Sequence, residues 1–181
     1  MFHERASESS SQAFYSLFPT RSNVENIIEF IKCNGIHNIY DLEGYTGEEY
    51  FEAAQYFQSS NKAILLQLAL VKGYFFAAFE IAENTFKEKD CFEQFYTLND
   101  ALARYDTFIY LAEKFLKTAP KGDVLTQKAE AEVMEAHFKM GLIFYKQQNK
   151  VMQSHHMNEA TKMGHEMACQ LMQSPDFLAA A

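Results

Sequence analysis

The sequence predicts an all-α protein made of antiparallel helical hairpins, stacked as a right-handed array or gathered into a compact bundle. Two observations carry this. Residues 48–173 hold only four glycines and one proline, and their commonest polar residues are Glu, Gln and Lys, all strong helix formers. Three capping boxes, Ser22/Glu25, Thr46/Glu49 and Asp90/Glu93, mark helix starts. The chain divides into a disordered polar arm (1–12), one helical domain (13–173) and a short tail (174–181).

Residues 13–18 have the length of a short helix stopped by Pro19. From Ser22 a helix runs to Gly35, with Val24, Ile27, Ile28 and Ile31 on one stripe. Residues 36–47 connect it to a helix that starts at Thr46 and ends near Gln58. There Tyr50, Ala53, Ala54 and Phe57 share a face, and Ser60 or Asn61 caps the next helix. Residues 62–87 are apolar nearly all round, as befits a central helix, with Gly73 as a kink or a break. A further helix runs from about Cys91 to Lys117 and stops at Pro120-Lys121-Gly122. Asp123 caps a helix of about 25 residues, about 37 Å long. After a turn at 147–150, one last helix is expected over 151–173, ended by Ser174-Pro175.

Composition narrows the functional classes. At 181 residues the chain can bury a core without disulfides or metal, and 15% of it is Phe or Tyr, with no Trp. The net charge is −8, and Asp41, Glu43, Glu48, Glu49 and Glu52 fall in a stretch without a base. Such a surface repels phosphate backbones, so nucleic acid is not an expected partner. Three separated cysteines, Cys33, Cys91 and Cys169, suit a reducing, cytoplasmic setting. The most apolar window, 63–82, includes Gln67, Lys72 and Glu80, which argues against a membrane span.

Candidate chemistry is sparse. His155, His156 and His165 lie near Glu159, Glu166 and Cys169, and His165 is one helical turn from Cys169, but the spacing completes no known metal motif. His137 with Lys139 and Gly141 approximates a histidine phosphotransfer pattern with Lys one place early. Cys33 near His37 lacks any legible activating environment. No phosphate-binding glycine loop and no nucleophile elbow occurs. No catalytic residue, metal or cofactor is expected. Seven of eight methionines fall between Met134 and Met172, and thioethers serve both cores and adaptable grooves. Met152, Met163 and Met167 are the expected apolar contacts for a partner, with Glu48, Glu49 and Glu52 steering it from the rim.

Residues 135–163 read EAHFKMGLIFYKQQNKVMQSHHMNEATKM. This segment resembles a tetratricopeptide repeat. Gly141 stands at the small position of the first helix, Met140 and Phe144 flank it, Gln147-Gln148-Asn149 makes the turn, and Ala160 is the small residue of the second helix. Met157 stands where an aromatic is usual, His137 replaces a large apolar residue, and Gln153 replaces an alanine. A weaker echo lies in Gly73, Phe75, Ala78 and Ala82. The resemblance implies a non-enzymatic adaptor or chaperone holding a partner peptide or helix in a groove, as small acidic secretion chaperones of bacteria do. The alternatives are a bundle enclosing an apolar small molecule and a secreted bacterial effector or regulator.

Overall fold

The computed structural model describes residues 22–36, 42–87, 94–175 and 177. The polar arm, the 13–18 segment, His37, Cys91 and the Asp90/Glu93 capping box lie outside the described residues. Eight helices are present and no strand occurs among the described residues. They are α1 (Asn23–Asn34), α2 (Gly47–Ala54), α3 (Ser59–Val71), α4 (Phe76–Lys87), α5 (Gln94–Leu116), α6 (Val124–Lys146), α7 (Lys150–Lys162) and α8 (Glu166–Gln173). Each helix packs on its neighbour in the chain from α1 to α4 and from α4 to α8, and α4 also touches α6.

Both described capping boxes form. Ser22 Oγ accepts from the Glu25 amide at 3.2 Å, while the Glu25 carboxylate accepts from the Ser22 amide at 3.1 Å. Thr46 and Glu49 repeat the exchange at 3.2 and 2.7 Å. Asp123 accepts from the Leu125 amide and starts α6. By contrast, α3 begins at Ser59, one to two residues before the expected caps, and Gln58 ahead of it makes no side-chain cap bond.

Two expected helices are each divided in two by the same device. Gly73 has φ of 87° and Gly164 has φ of 93°, the left-handed region open to glycine. At the first, the Tyr74 amide donates to Ala69 O (2.9 Å) and the Gly73 amide to Leu70 O (2.9 Å). At the second, the His165 amide donates to Ala160 O and the Gly164 amide to Thr161 O, both at 3.0 Å. These paired bonds are Schellman motifs, which satisfy the last carbonyls and turn the chain. Residues 62–87 are therefore α3 and α4, and residues 151–173 are α7 and α8. The turn after α6 is a third such motif, with Gln148 at φ 57° in place of glycine.

The core is strung along the chain as three clusters. Ile27, Ile31, Tyr50, Ala53, Leu65 and Leu66 join α1 to α3. Phe76, Ala101, Tyr105, Phe108, Val133 and Met140 join α4 to α6. Phe51, Leu70 and Tyr74 border both. Phe138, Met157, Ala160 and Ala168 join α6 to α8. Phe177, assigned to the tail by sequence, is buried in that third cluster with its ring 4.9 Å from that of Tyr145.

The start of α2 rests directly on the α3–α4 turn. A Cβ at Gly47 would lie 2.7 Å from Tyr74 Cβ and 2.9 Å from the Ala69 carbonyl oxygen. Alanine is the better helix former by up to about 1 kcal/mol, but here it must displace backbone. Gly47→Ala is expected to destabilise the fold by about 1 kcal/mol net. Urea unfolding measures this, and a gain in stability would show that α2 is free to move away.

Candidate functional site

A concavity lies where α2, α4 and α6 converge, with α3 at one side. It is an open cleft of about 560 Å³ lined by Phe51 and Gln55 of α2, Lys62 of α3, and Lys128 and Glu132 of α6. From α4 come Phe76, Phe79, Glu80, Glu83, Asn84 and Lys87. It continues into a cleft of about 800 Å³ beside Phe57, Gln58 and Ser60, sharing Gln55, Lys62, Asn84 and Lys87. The α4 residues recur at i, i+3, i+4, i+7, i+8 and i+11, so one helical face carries an aromatic end and a charged end.

Most of the charges are paired. Glu80 takes Lys62 Nζ on Oε1 at 2.5 Å and the Gln55 carboxamide on Oε2 at 2.8 Å. Glu83 accepts from the buried Tyr105 hydroxyl at 2.6 Å and faces Lys87 at 3.3 Å. Burial, reinforced by that bond to Glu83, pushes the Tyr105 phenol far up.

Glu132 is different. Its Oε1 lies 3.8 Å from Lys128 Nζ, at the long edge of an ion pair, and its Oε2 is buried without a hydrogen-bond partner. The Lys128 ammonium is drawn instead over the rings of Phe76 (4.4 Å) and Phe51 (5.3 Å). Burial pushes the Glu132 carboxyl up to about 7; Lys128 opposes the shift, and Glu80 and Glu83 add to it. Nearby Tyr74 is raised to about 12 by burial and by Glu48, Glu132 and Glu52. A concave site with aromatic walls and a titrating carboxyl at its side has the general character of a binding site.

No protein-family profile, curated protein or solved structure matches this chain. The site therefore rests on its own chemistry.

The residues singled out by sequence fall elsewhere, and the structure does not bring them together. Glu48, Glu49 and Glu52 are on α2, which packs on α1 and α3, whereas Met152 is on α7, Met163 at the α7–α8 turn and Met167 on α8. Met163 and Met167 are 40% and 52% exposed, and Met152 is half-buried. Glu49 is committed to structure. One oxygen accepts from Asn23 Nδ2 at 2.6 Å and the other from the Thr46 amide, and these bonds hold its carboxyl below the usual range. Glu48 and Glu52 are exposed. Met140 and Met157 are core residues.

The histidines are also engaged. His165 caps α8: its Nδ1 accepts from the Ala168 amide at 3.2 Å, and its Nε2 meets Glu135 Oε2 at 2.9 Å. Its ring stacks on Phe138 with centroids 4.1 Å apart. Both nitrogens are used, so His165 and Cys169 do not form a metal pair. No group of three or more metal-ligating side chains assembles among the described residues. His137 is half-buried with its Nδ1 2.9 Å from His156 Nδ1, and does not project as phosphotransfer requires.

Sequence reading missed the charged face of α4. Within an apolar segment, Glu80, Glu83, Asn84 and Lys87 are polar residues at helical spacing, and that spacing was the available signal.

Proposed function

We propose that this chain is a peptide-binding module, an adaptor or chaperone without catalytic activity, and that its site is the cleft between α2, α4 and α6. The observation that carries the reading is Glu132, whose side chain lines an open, aromatic-walled cleft while its Oε2 is buried without a donor. An extended segment of a partner protein supplies such donors along its backbone. The carboxamides of Gln55, Gln58 and Asn84 offer both donors and acceptors to a peptide chain. Phe51 and Phe79 offer apolar contact, and the Lys62–Glu80 and Lys87–Glu83 pairs set the charge pattern of the walls.

The tetratricopeptide-like arrangement is part of this proposal. Gly141 of α6 approaches Met157 of α7 closely, and hairpins follow one another in chain order, as that resemblance implies. A cytoplasmic setting is consistent with the free thiols of Cys33 and Cys169. An enclosed apolar ligand is the weaker reading, because Phe75, Phe76, Phe79 and Phe108 pack on one another in the interior it would occupy. No helix among the described residues is long and apolar enough to cross a membrane.

The test is an array of extended peptides, followed by titration of the best binder in solution. Asn84→Ala with Gln55→Ala is expected to weaken binding at least tenfold, the loss of about 1.4 kcal/mol. Gln replacement of Met152, Met163 and Met167 is expected to leave it unchanged. The reverse pattern moves the site to α7–α8. Absence of any peptide binding overturns the reading.

A further inference from the structure

We propose that the α6–α7 contact is an acid-release latch: one shared proton between His137 and His156 holds α7 and α8 against α6, and a second proton opens it. The geometry sets the protonation state. Two imidazole Nδ1 atoms 2.9 Å apart form a hydrogen bond when one donates and the other accepts. The Nε2 of His156 is buried with no partner, and the residue is only 5% exposed. A buried N–H there would be an unpaired donor, so Nε2 carries the lone pair. The proton sits on His156 Nδ1 and is donated to His137 Nδ1, and the second hydrogen of the pair is on His137 Nε2.

Each route to a second proton is unfavourable while the helices are docked. Protonating His137 Nδ1 sets two N–H groups against each other. Protonating His156 Nε2 places a charge in an apolar setting, with Phe144 stacked on the ring at 5.4 Å. The facing charged groups come from three helices. Glu113 of α5 and Glu159 of α7 favour a charged His137, and His155 of α7 opposes it. His155 and His137 likewise oppose charge on His156, with Glu159 in favour. Glu159 is itself bonded to Lys162 at 2.7 Å. From the α7–α8 turn, His165 is taken up by Glu135. Burial outweighs the carboxylates: His137 is shifted down, and His156 down to about 4.

Both imidazoles titrate lower in the docked state than their ordinary value of 6.5. The open state therefore binds more protons between these values. The contribution to docking is complete above 6.5 and is lost as the pH falls toward 4. Opening would uncover Phe138, Met157 and Ala160, the apolar surface that α7 and α8 now bury.

Amide hydrogen exchange tests the latch. After correction for intrinsic rates, protection of residues 150–173 is expected to fall roughly 40-fold between pH 6.5 and 4.5, the slope for one imidazole approaching tenfold per pH unit within that window. Protection in α1 to α3 is expected to stay. His156→Phe should remove most of this acid dependence. Flat protection in the parent, simultaneous opening of the whole chain, or an undiminished acid response in His156→Phe overturns the proposal. Should the variant not fold, ring resonances of the parent decide: linked titration of His137 and His156, both below 6.5, is expected, and ordinary titration of either overturns the latch.

Discussion

Gly141→Leu is expected to destabilise the protein by about 2 kcal/mol net. A Cβ at this position would lie 2.9 Å from Met157 Cγ, 3.0 Å from its Cε and 3.1 Å from its Sδ. The methionine is flexible, but it is fully buried between Phe138, Ala160 and Ala168, and Cγ is not its free end. A leucine must push the whole side chain and with it α7. Overpacking of this kind costs about 1–3 kcal/mol, against a gain of up to about 1 kcal/mol in helix propensity. Gly141→Ala, with one carbon added, is expected to cost less than the leucine. Equal melting temperatures for parent and leucine variant would mean that α7 does not press on α6 at this point.

The close approach at Gly141 was legible through the tetratricopeptide resemblance, which implies a small residue where the first helix presses on the second. Gly164 carried the opposite meaning with the same residue. It comes after Thr161-Lys162-Met163, and Lys162 in the last turn was the available sign of a helix end. The break was missed because glycine is tolerated inside a helix, and because His165 is an unusual cap. Gly73 was recognised as a kink or a break, and the Ala69–Tyr74 bond decides between them.

The starts of α1 and α2 were read to the residue. A capping box is a local exchange within four residues, and nothing distant alters it. The cleft is the reverse case. Gln55, Lys62, Glu80 and Glu132 come from four helices, and no window of sequence places them together. Nor does sequence show that Glu49, besides its capping box with Thr46, is also held by Asn23 of α1.

Glu132→Gln is expected to raise stability at pH 8 by about 2–3 kcal/mol and to change it little at pH 5. The Glu132 side chain is 21% exposed, and its carboxyl is pushed from 4.5 up to about 7. An acid that titrates higher when folded is protonated in the native state while the unfolded chain has already lost its proton. Between pH 4.5 and 7 the native state thus binds more protons, and stability falls as the pH rises. Below that window the carboxyl is neutral in both states and costs nothing extra. Above it the native fold must carry a charge whose Oε2 has no donor. Glutamine keeps the shape and never bears the charge. Urea unfolding at both pH values measures the difference, and an equal effect at pH 5 and 8 would show that charge burial is not the cause. The cost also bears on function. A peptide that draws this carboxylate toward the cleft and donates to it relieves the cost, so at pH 8 the same peptide should stabilise the parent more than the Gln variant. Equal stabilisation of the two would remove Glu132 from the binding site while leaving its pH-dependent cost intact.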